Sequence, residues 1–171
     1  MIQNYSGIDP DLVIAGAVLH DLGKIYELSY ARSFAYTTAG QLLGHMILEL
    51  EIVHKALAEL PEFPRPLQTL LEHLIISHHG QYEFGSPKLP MFPEALLLHY
   101  LDDLDSKLQN MESILKRDQA LGGEWTRYSP SLGRPLLDTQ KFLGHSEPPP
   151  AEPGSASPDA RAEGGPSDRV D

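Results

Sequence analysis

Apolar residues recur at helical spacing along most of the chain, and proline and glycine mark the breaks between the apolar segments. The first segment begins at Asp9-Pro10, a cap followed by a proline of the first turn, and runs to Leu22 before Gly23. The second follows Thr37-Thr38, with apolar residues three or four positions apart as far as Leu57. Both patterns predict α-helices.

The second half of the chain contains two further segments of this kind. The third runs from about Leu67 to His79 and ends at Gly80, and a loop rich in glycine and proline, 81–92, follows it. The fourth begins at Pro93-Glu94 and continues to about Ala120. Since no stretch alternates apolar and polar residues as a strand does, we predict an all-α fold.

The end of the chain has a different composition. Residues 144–171 are rich in Pro, Gly, Ser, Ala and Glu and contain almost no apolar side chains. Such a segment buries too little surface to offset the entropy lost on ordering. We therefore predict a helical domain over residues 1–143 and a disordered tail over residues 144–171.

Composition restricts the chemistry that the chain can support. It contains no cysteine, which excludes disulfides and thiolate zinc sites, so any metal must be held by His, Asp or Glu. The apolar runs are too short to span a bilayer, which predicts no membrane contact. The N-terminus lacks the features of a signal peptide, and we expect a cytoplasmic protein.

The chain is acidic, with a net charge of −11 and a pI near 5.0. The segment 144–171 contributes −4 of this charge, from six acidic and two basic residues. Tight binding to nucleic acid without sequence preference needs lysine and arginine along a groove. The charge therefore argues against such binding, although carboxylates that face metal cations would account for part of it.

Side chains that bind metals lie near the ends of three predicted helices and midway along the fourth. They are His20, Asp21, His45, His78, His79 and Asp102. Adjacent residues on a helix point about 100° apart, so His20 and Asp21 can share one ion near a helix end, or Asp21 can bridge two ions. Imidazole and carboxylate ligands suit Mn²⁺, Fe²⁺, Co²⁺ or Ni²⁺ better than Mg²⁺.

The acidic run on the fourth helix offers several carboxylates. Leu101, Leu104 and Leu108 flank Asp102 at helical spacing, which predicts that Asp102 lies close to a buried stripe and is the ligand. Asp105 lies one turn later and is the candidate for a general base or for support of the ligands.

Four segments carry a resemblance to a known family. The segment "AGAVLHDLGK" resembles the signature of the HD superfamily, and "GQLLGH", "ISHHGQYEFGSPKLP" and "LLLHYLDDLDSK" resemble successive blocks of YhaM-like 3′→5′ exoribonucleases. The resemblance covers roughly Asp9 to Lys107. The motif "GSPK" distinguishes the chain from the cyclic-dinucleotide phosphodiesterases of the superfamily, which carry a Gly-Tyr-Pro motif there. We expect an HD-domain helical bundle.

The resemblance also implies roles for individual residues. His20 and Asp21 would bind one metal, and His45, His78 and His79 a second, with Asp102 closing the site. Lys24 would lie near the scissile phosphate, where its ammonium can stabilise charge on the phosphoryl oxygens, and Asp21 and Lys24 are both expected to be catalytic. Ser86 and Lys88 follow the paired histidines and are candidates for contacts with the substrate phosphate.

The superfamily carries a further histidine ligand on an earlier helix. None of the nineteen residues before His20 is a histidine. We therefore expect that the chain lacks the first helix or helices of the family domain, that it binds metal with one ligand fewer, or that the site is degenerate. The oligonucleotide-binding barrel that often precedes the domain in these exoribonucleases is also absent from the sequence.

These observations predict a phosphohydrolase that uses a divalent metal, Mn²⁺ in the first place, to cleave phosphodiester bonds of single-stranded RNA from the 3′ end. One alternative is a nucleotide or small phosphomonoester as substrate, which the acidic charge favours and the "GSPK" loop disfavours. Another is a truncated, inactive homologue with a binding or structural role. The apolar surface of such helices also suggests that copies of this chain associate into a homo-oligomer.

Overall fold

Helices account for most of the residues that the computed structural model describes, which are 5–29 and 35–145. The helices are α1 (Pro10–Leu19), α2 (Lys24–Glu27), α3 (Thr38–Ala58), α4 (Arg65–Ser77), α5 (Pro93–Arg117) and α6 (Thr139–Phe142), and a 3₁₀ turn spans Tyr82–Phe84. The predicted all-α fold is confirmed. No helix among the described residues is long and apolar enough to cross a membrane.

Two short strands were not predicted. Strands β1 (Leu28–Ser29) and β2 (Ala35–Tyr36) pair antiparallel, with Leu28 opposite Tyr36. Two residues are too few to show an alternating pattern, and the four residues of α2 are likewise too few to show a helical one. The sequence therefore contained no signal for either element.

Several predicted boundaries differ from the observed ones. The first helix ends at Leu19 and not at Leu22, and the fourth ends at Arg117 and not near Ala120. Chain contacts divide the protein into two compact units, with the boundary between Glu112 and Ser113. A domain boundary at residue 143 stays a prediction. The predicted disordered tail lies, from residue 146 onward, outside the described residues.

Helix α4 lies at the centre of the first unit, because apolar residues on two of its sides pack against other helices. Leu71 and Leu74 pack with Leu12 of α1 and with Ala95 and Leu98 of α5, and form one apolar cluster. On its other side Ile75 packs with Met46 and Val53 of α3. The last turn of α4 is thereby fixed between α1, α3 and α5, and it is this turn that leads into His78 and His79.

Helix α3 contains a kink that changes the backbone around His45. Gly44 has φ +73° and ψ 162°, a conformation outside the helix that favours glycine. The amide of His45 does not continue the helical ladder but donates to Glu27 Oε1 at 3.0 Å. The kink thus binds the start of α3 to the end of α2.

The second unit, which begins at Ser113, is organised around a buried carboxylate. Asp118 Oδ1 accepts from Arg117 Nε at 2.9 Å and from Arg127 Nη2 at 2.8 Å, and Oδ2 accepts from the Arg127 amide. The hydrogen bonds from Arg117 and Arg127 hold the pKa of Asp118 well below its usual range. Isolated bridges pair Trp125 with Leu137 and Ser129 with Arg134.

Replacement of Gly80 by alanine is expected to destabilise the protein strongly. Gly80 has φ +75°, and a Cβ atom there would lie 2.2 Å from the His99 ring. The left-handed backbone costs an L-residue about 1–2 kcal/mol, and overpacking adds about 1–3 kcal/mol. Urea unfolding of Gly80→Ala should therefore show a loss of about 3 kcal/mol.

Gly85→Ala is the matched control for this prediction. Gly85 has φ +80°, but no atom lies within 4 Å of its added Cβ. Only the backbone cost of about 1–2 kcal/mol should remain. Equal losses in the two variants would contradict the packing of Gly80 against His99.

Candidate metal centre

Four helical segments bring the six predicted ligands to one place. His45, His78 and His79 form one group, and His20, Asp21 and Asp102 form another. Within each group one ligand atom per residue lies within 4.8 Å of the others. Each group therefore has the spacing of side chains that can hold a metal ion.

Asp21 stands between the two groups. Its Oδ1 lies 3.7 Å from His45 Nε2 and 4.0 Å from His78 Nε2. Its Oδ2 lies 3.5 Å from His20 Nε2 and accepts from Lys24 Nζ at 2.7 Å. Each carboxylate oxygen thus faces a different group, which is the geometry of a bridging ligand.

The four imidazoles are held in the same tautomer by contacts of their Nδ1 atoms. The acceptors are Ala17 O for His20, Glu27 Oε1 for His45, Ile75 O for His78 and Phe84 O for His79, at 2.6–3.3 Å. A carbonyl or carboxylate oxygen only accepts, so Nδ1 carries the proton in each ring. This leaves the Nε2 lone pairs of His45, His78 and His79 free for a cation, whereas Nε2 of His20 faces the Asp102 carboxylate.

Two observations show that the residues present fit a cation. Asp21 Oδ1 is buried and has no hydrogen-bond partner among the described residues. His45 Nε2 and His78 Nε2 lie 3.4 Å apart, although both Nδ1 atoms already carry protons. Buried lone pairs that face one another, and a buried carboxylate oxygen, are unfavourable unless a positive charge lies between them.

Protons do not supply that charge at the buried histidines. Burial lowers the pKa of His78 to about 4. Burial also lowers the pKa of His45, although the neighbouring Glu27 opposes it. Both rings are therefore neutral at neutral pH, the form that ligates metals.

His20 and Asp102 behave in the opposite sense. His20 Nε2 lies 3.5 Å from Asp102 Oδ1. Burial works to lower the pKa of His20, but the Asp102 hydrogen bond and the Asp21 charge outweigh it and raise the pKa. The hydrogen bond with His20 lowers the pKa of Asp102. Without a metal ion, His20 therefore favours its protonated form, and metal binding at these side chains would release that proton.

A cavity of about 610 Å³ opens beside the two groups. Asp21, Lys24, His79 and Asp102 line it, together with Phe84 and further residues of α5 that include Asp105. Asp105 Oδ2 accepts from Gln109 Nε2 at 2.6 Å. Three candidate ligands, the Lys24 ammonium and the candidate general base Asp105 therefore line the same cavity.

The structure does not bring Ser86 and Lys88 to this cavity. Ser86 is buried, and its hydroxyl lies 3.0 Å from Ile76 O and 2.7 Å from Lys88 O, which only accept. The hydroxyl therefore stabilises the loop. Lys88 is exposed and does not line the cavity.

The argument that selected Asp102 from the sequence was wrong in one respect. Leu101, Leu104 and Leu108 are exposed, with 43–54% of their surface accessible, and do not form a buried stripe. The buried apolar residues of α5 nearest to Asp102 are Ala95 and Leu98, which lie earlier in the helix. Asp102 nevertheless lies with His20 and Asp21, because it is one turn beyond Leu98.

Three residues that support the site were missed or misassigned. Glu27 holds His45 by its amide and its ring, and the sequence contained no motif that singled it out. Glu49 is fully buried without a hydrogen-bond partner among the described residues, and burial raises its pKa to about 8. His99 was also not assigned to the site from the sequence, and it donates from Nδ1 to His78 O at 2.9 Å.

Comparison with known proteins gives two findings. The HD domain family model matches residues 1–107. The proteins named 3′-5′ exoribonuclease YhaM of Bacillus subtilis, Bacillus licheniformis and Bacillus velezensis are each 47% identical over 122 residues, which cover 71% of this chain and 38% of the relative. The chain thus spans about two fifths of these relatives. No solved structure matches it.

Acidification is expected to destabilise the metal-free protein through His78. The pKa of His78 is about 4 in the folded state, below the ordinary value of 6.5. The unfolded state therefore takes up a proton that the folded state refuses, and stability falls as the pH drops from about 6.5 towards 4. Between pH 7 and 5 this amounts to about 2 kcal/mol.

The measurement is urea unfolding at both pH values for wild type and His78→Asn. The variant should lose about 2 kcal/mol less than wild type on acidification, since it lacks the titrating ring. An identical pH dependence in wild type and His78→Asn would refute the assignment.

Glu27→Gln is expected to weaken Mn²⁺ binding about 10–100-fold, the usual effect of removing a group that orients a ligand. The amide keeps an acceptor but removes the negative charge that polarises the His45 ring. Calorimetric titration measures the affinity. Glu72→Gln is the matched control, because Glu72 contacts His54 at 2.8 Å in the same way outside both groups. Equal affinities in Glu27→Gln and wild type would count against a ligand role for His45.

Proposed function

This chain belongs to the HD domain family, and we propose that it is the metal-dependent hydrolytic domain of a 3′→5′ exoribonuclease that acts on single-stranded RNA. The orphaned Asp21 Oδ1, which faces the Nε2 atoms of two neutral histidines, is the observation that carries the proposal. The names of the relatives support RNA as the substrate.

The proposed cofactor is a divalent cation, Mn²⁺ in the first place, because the ligands combine imidazole and carboxylate without thiolate. His45, His78 and His79 would hold one ion, His20 and Asp102 a second, and Asp21 would contribute to both. When bound, such an ion lowers the pKa of water and neutralises charge on the phosphate. Fe²⁺, Co²⁺, Ni²⁺ and Mg²⁺ are the other candidates.

The remaining charged residues of the cavity have complementary roles in this proposal. Lys24 is held by Asp21 at 2.7 Å, so its ammonium stays at the cavity wall, where it can stabilise negative charge on the phosphoryl oxygens. Asp105 lines the same cavity and is the candidate to take a proton from the attacking water. Asp21 acts by fixing both Lys24 and the ligand geometry.

A nucleotide or small phosphomonoester is the second candidate substrate. It is favoured by the net charge of −11 and by the acidic residues of α5 at the cavity. A cavity of about 610 Å³ is in the size range of small-molecule sites and does not by itself separate the two substrates. An inactive homologue that binds metal only is the third candidate.

Two further features belong to the proposal. A cytoplasmic location is consistent with RNA as the substrate. Self-association would cover Leu101, Leu104 and Leu108, which are exposed at alternating three- and four-residue spacing on α5.

The test compares Asp21→Asn with Asp11→Asn, a matched substitution at an exposed position of α1. With Mn²⁺, wild type and Asp11→Asn should shorten 5′-labelled single-stranded RNA from its 3′ end. Asp21→Asn should lose bound Mn²⁺, measured by elemental analysis, and at least about 1,000-fold of the activity, because both ligand groups lose a shared oxygen.

Each contrary result favours a different candidate. Cleavage of nucleotides but not of RNA would favour the small-substrate enzyme. Bound Mn²⁺ without hydrolysis of either would favour the inactive homologue. Full activity in Asp21→Asn would refute the proposed centre.

A further inference from the structure

We infer that the part of the cavity beyond the metal ligands is a subsite for the 3′-terminal nucleoside of the RNA, with its base stacked on Phe84. This inference rests on the proposed function and adds to it a residue that determines specificity and a preference for the chemical end of the substrate. Three features of the cavity support this inference. They are the aromatic residue Phe84, the length of the cavity along α5 and the distribution of charged residues in its wall.

Phe84 is placed at the cavity by a fixed piece of backbone. Phe84 is the last residue of the 3₁₀ turn, and Gly85 ends that turn with φ +80°. The Phe84 carbonyl accepts from His79 Nδ1 at 2.8 Å, which places the residue directly beside a candidate metal ligand. Phe84 lines the cavity, and the residue is 57% exposed. An exposed aromatic face of this kind is a platform for a base.

The length of the cavity along α5 matches one nucleotide. Asp102 and Gln109 both line it and are seven residues apart on α5. At 1.5 Å per residue this is a distance of roughly 10 Å along the helix. A phosphate at the ligands therefore leaves room for its ribose and base, and the Ser106 hydroxyl and the Gln109 amide offer donors and acceptors to the edge of the base.

The distribution of charge favours a nucleoside without a further phosphate. Lys24 is the only lysine or arginine among the described residues that line the cavity, and it pairs with Asp21 at the metal ligands. Farther along, Lys107 neutralises Asp103 by an ion pair, whereas Asp105 contacts the neutral amide of Gln109. This part of the cavity therefore carries negative charge that no cation neutralises, and a 3′-phosphate would be repelled.

The experiment separates the base from the rest of the substrate. Wild type, Phe84→Leu and Phe84→Tyr are assayed with Mn²⁺ on two RNAs that differ only at the 3′ end, one with adenosine and one with an abasic ribose. Phe84→Leu should raise KM for the adenosine-ended RNA about 10–100-fold with little change in kcat, the effect of losing one stacked base. Phe84→Tyr should retain the wild-type KM.

The abasic substrate is the internal control. Wild type and Phe84→Leu should cleave it equally, because without a base there is nothing for the ring to stack on. Tyr82→Leu is the matched control variant, since Tyr82 is 61% exposed on the same turn but does not line the cavity, and it should behave as wild type on both RNAs.

The contrary outcomes are distinct. An equal rise in the KM of Phe84→Leu for both RNAs would overturn the subsite and indicate that the ring acts only by supporting His79. No effect on either RNA would also overturn it while leaving the proposed function intact. Hydrolysis of neither RNA by wild type would refute the proposed function, and the subsite with it.

Competition between RNAs with different 3′ ends tests the effect of the negative charge in the cavity. An RNA that ends in a 3′-phosphate should compete with the hydroxyl-ended RNA at least about ten-fold less well, the effect of placing like charges a few ångströms apart. Equal competition would overturn the assignment of the far part of the cavity to the terminal nucleoside.

Discussion

The convergence of Asp21 Oδ1 with the lone pairs of His45 and His78 is the constraint on which the first unit depends. A buried carboxylate oxygen without a hydrogen bond is costly, and so are two imidazole nitrogens that face each other as acceptors. The apolar packing of α4 against α1, α3 and α5 holds these atoms together despite their mutual repulsion. The fold thus holds these oxygen and nitrogen atoms in an unfavourable arrangement that a divalent cation would stabilise.

The orientation of the ligands depends mainly on the backbone. Three of the four rings donate from Nδ1 to a main-chain carbonyl within three to five residues of themselves, and only His45 uses a side chain. His20 and His78 lie at helix ends, where the i−3 carbonyl is free to accept. This is why the ligands cluster at helix ends in the sequence, and why His45, which begins the helical stretch after a kink, needs Glu27.

Much of this could be predicted from the sequence because it is encoded locally. Helical spacing indicated α1, α3, α4 and α5, and the pairs His20-Asp21 and His78-His79 pointed to the ligands that the structure brings together. The kink at Gly44 and the role of Glu27 could not be predicted, since a glycine within a helical pattern is ambiguous and Glu27 meets His45 only through tertiary packing. Ser86 was misjudged because sequence proximity to the histidines does not show which way a hydroxyl points.

Position 84 separates two properties that are usually linked. The carbonyl that orients His79 belongs to the main chain and would be supplied by any amino acid at this position, whereas the ring that faces the cavity is particular to phenylalanine. A mutation here therefore alters what the cavity accepts without turning the neighbouring imidazole. Under the proposed function, a change of one codon would replace the side chain that meets the substrate and keep the carbonyl that orients His79.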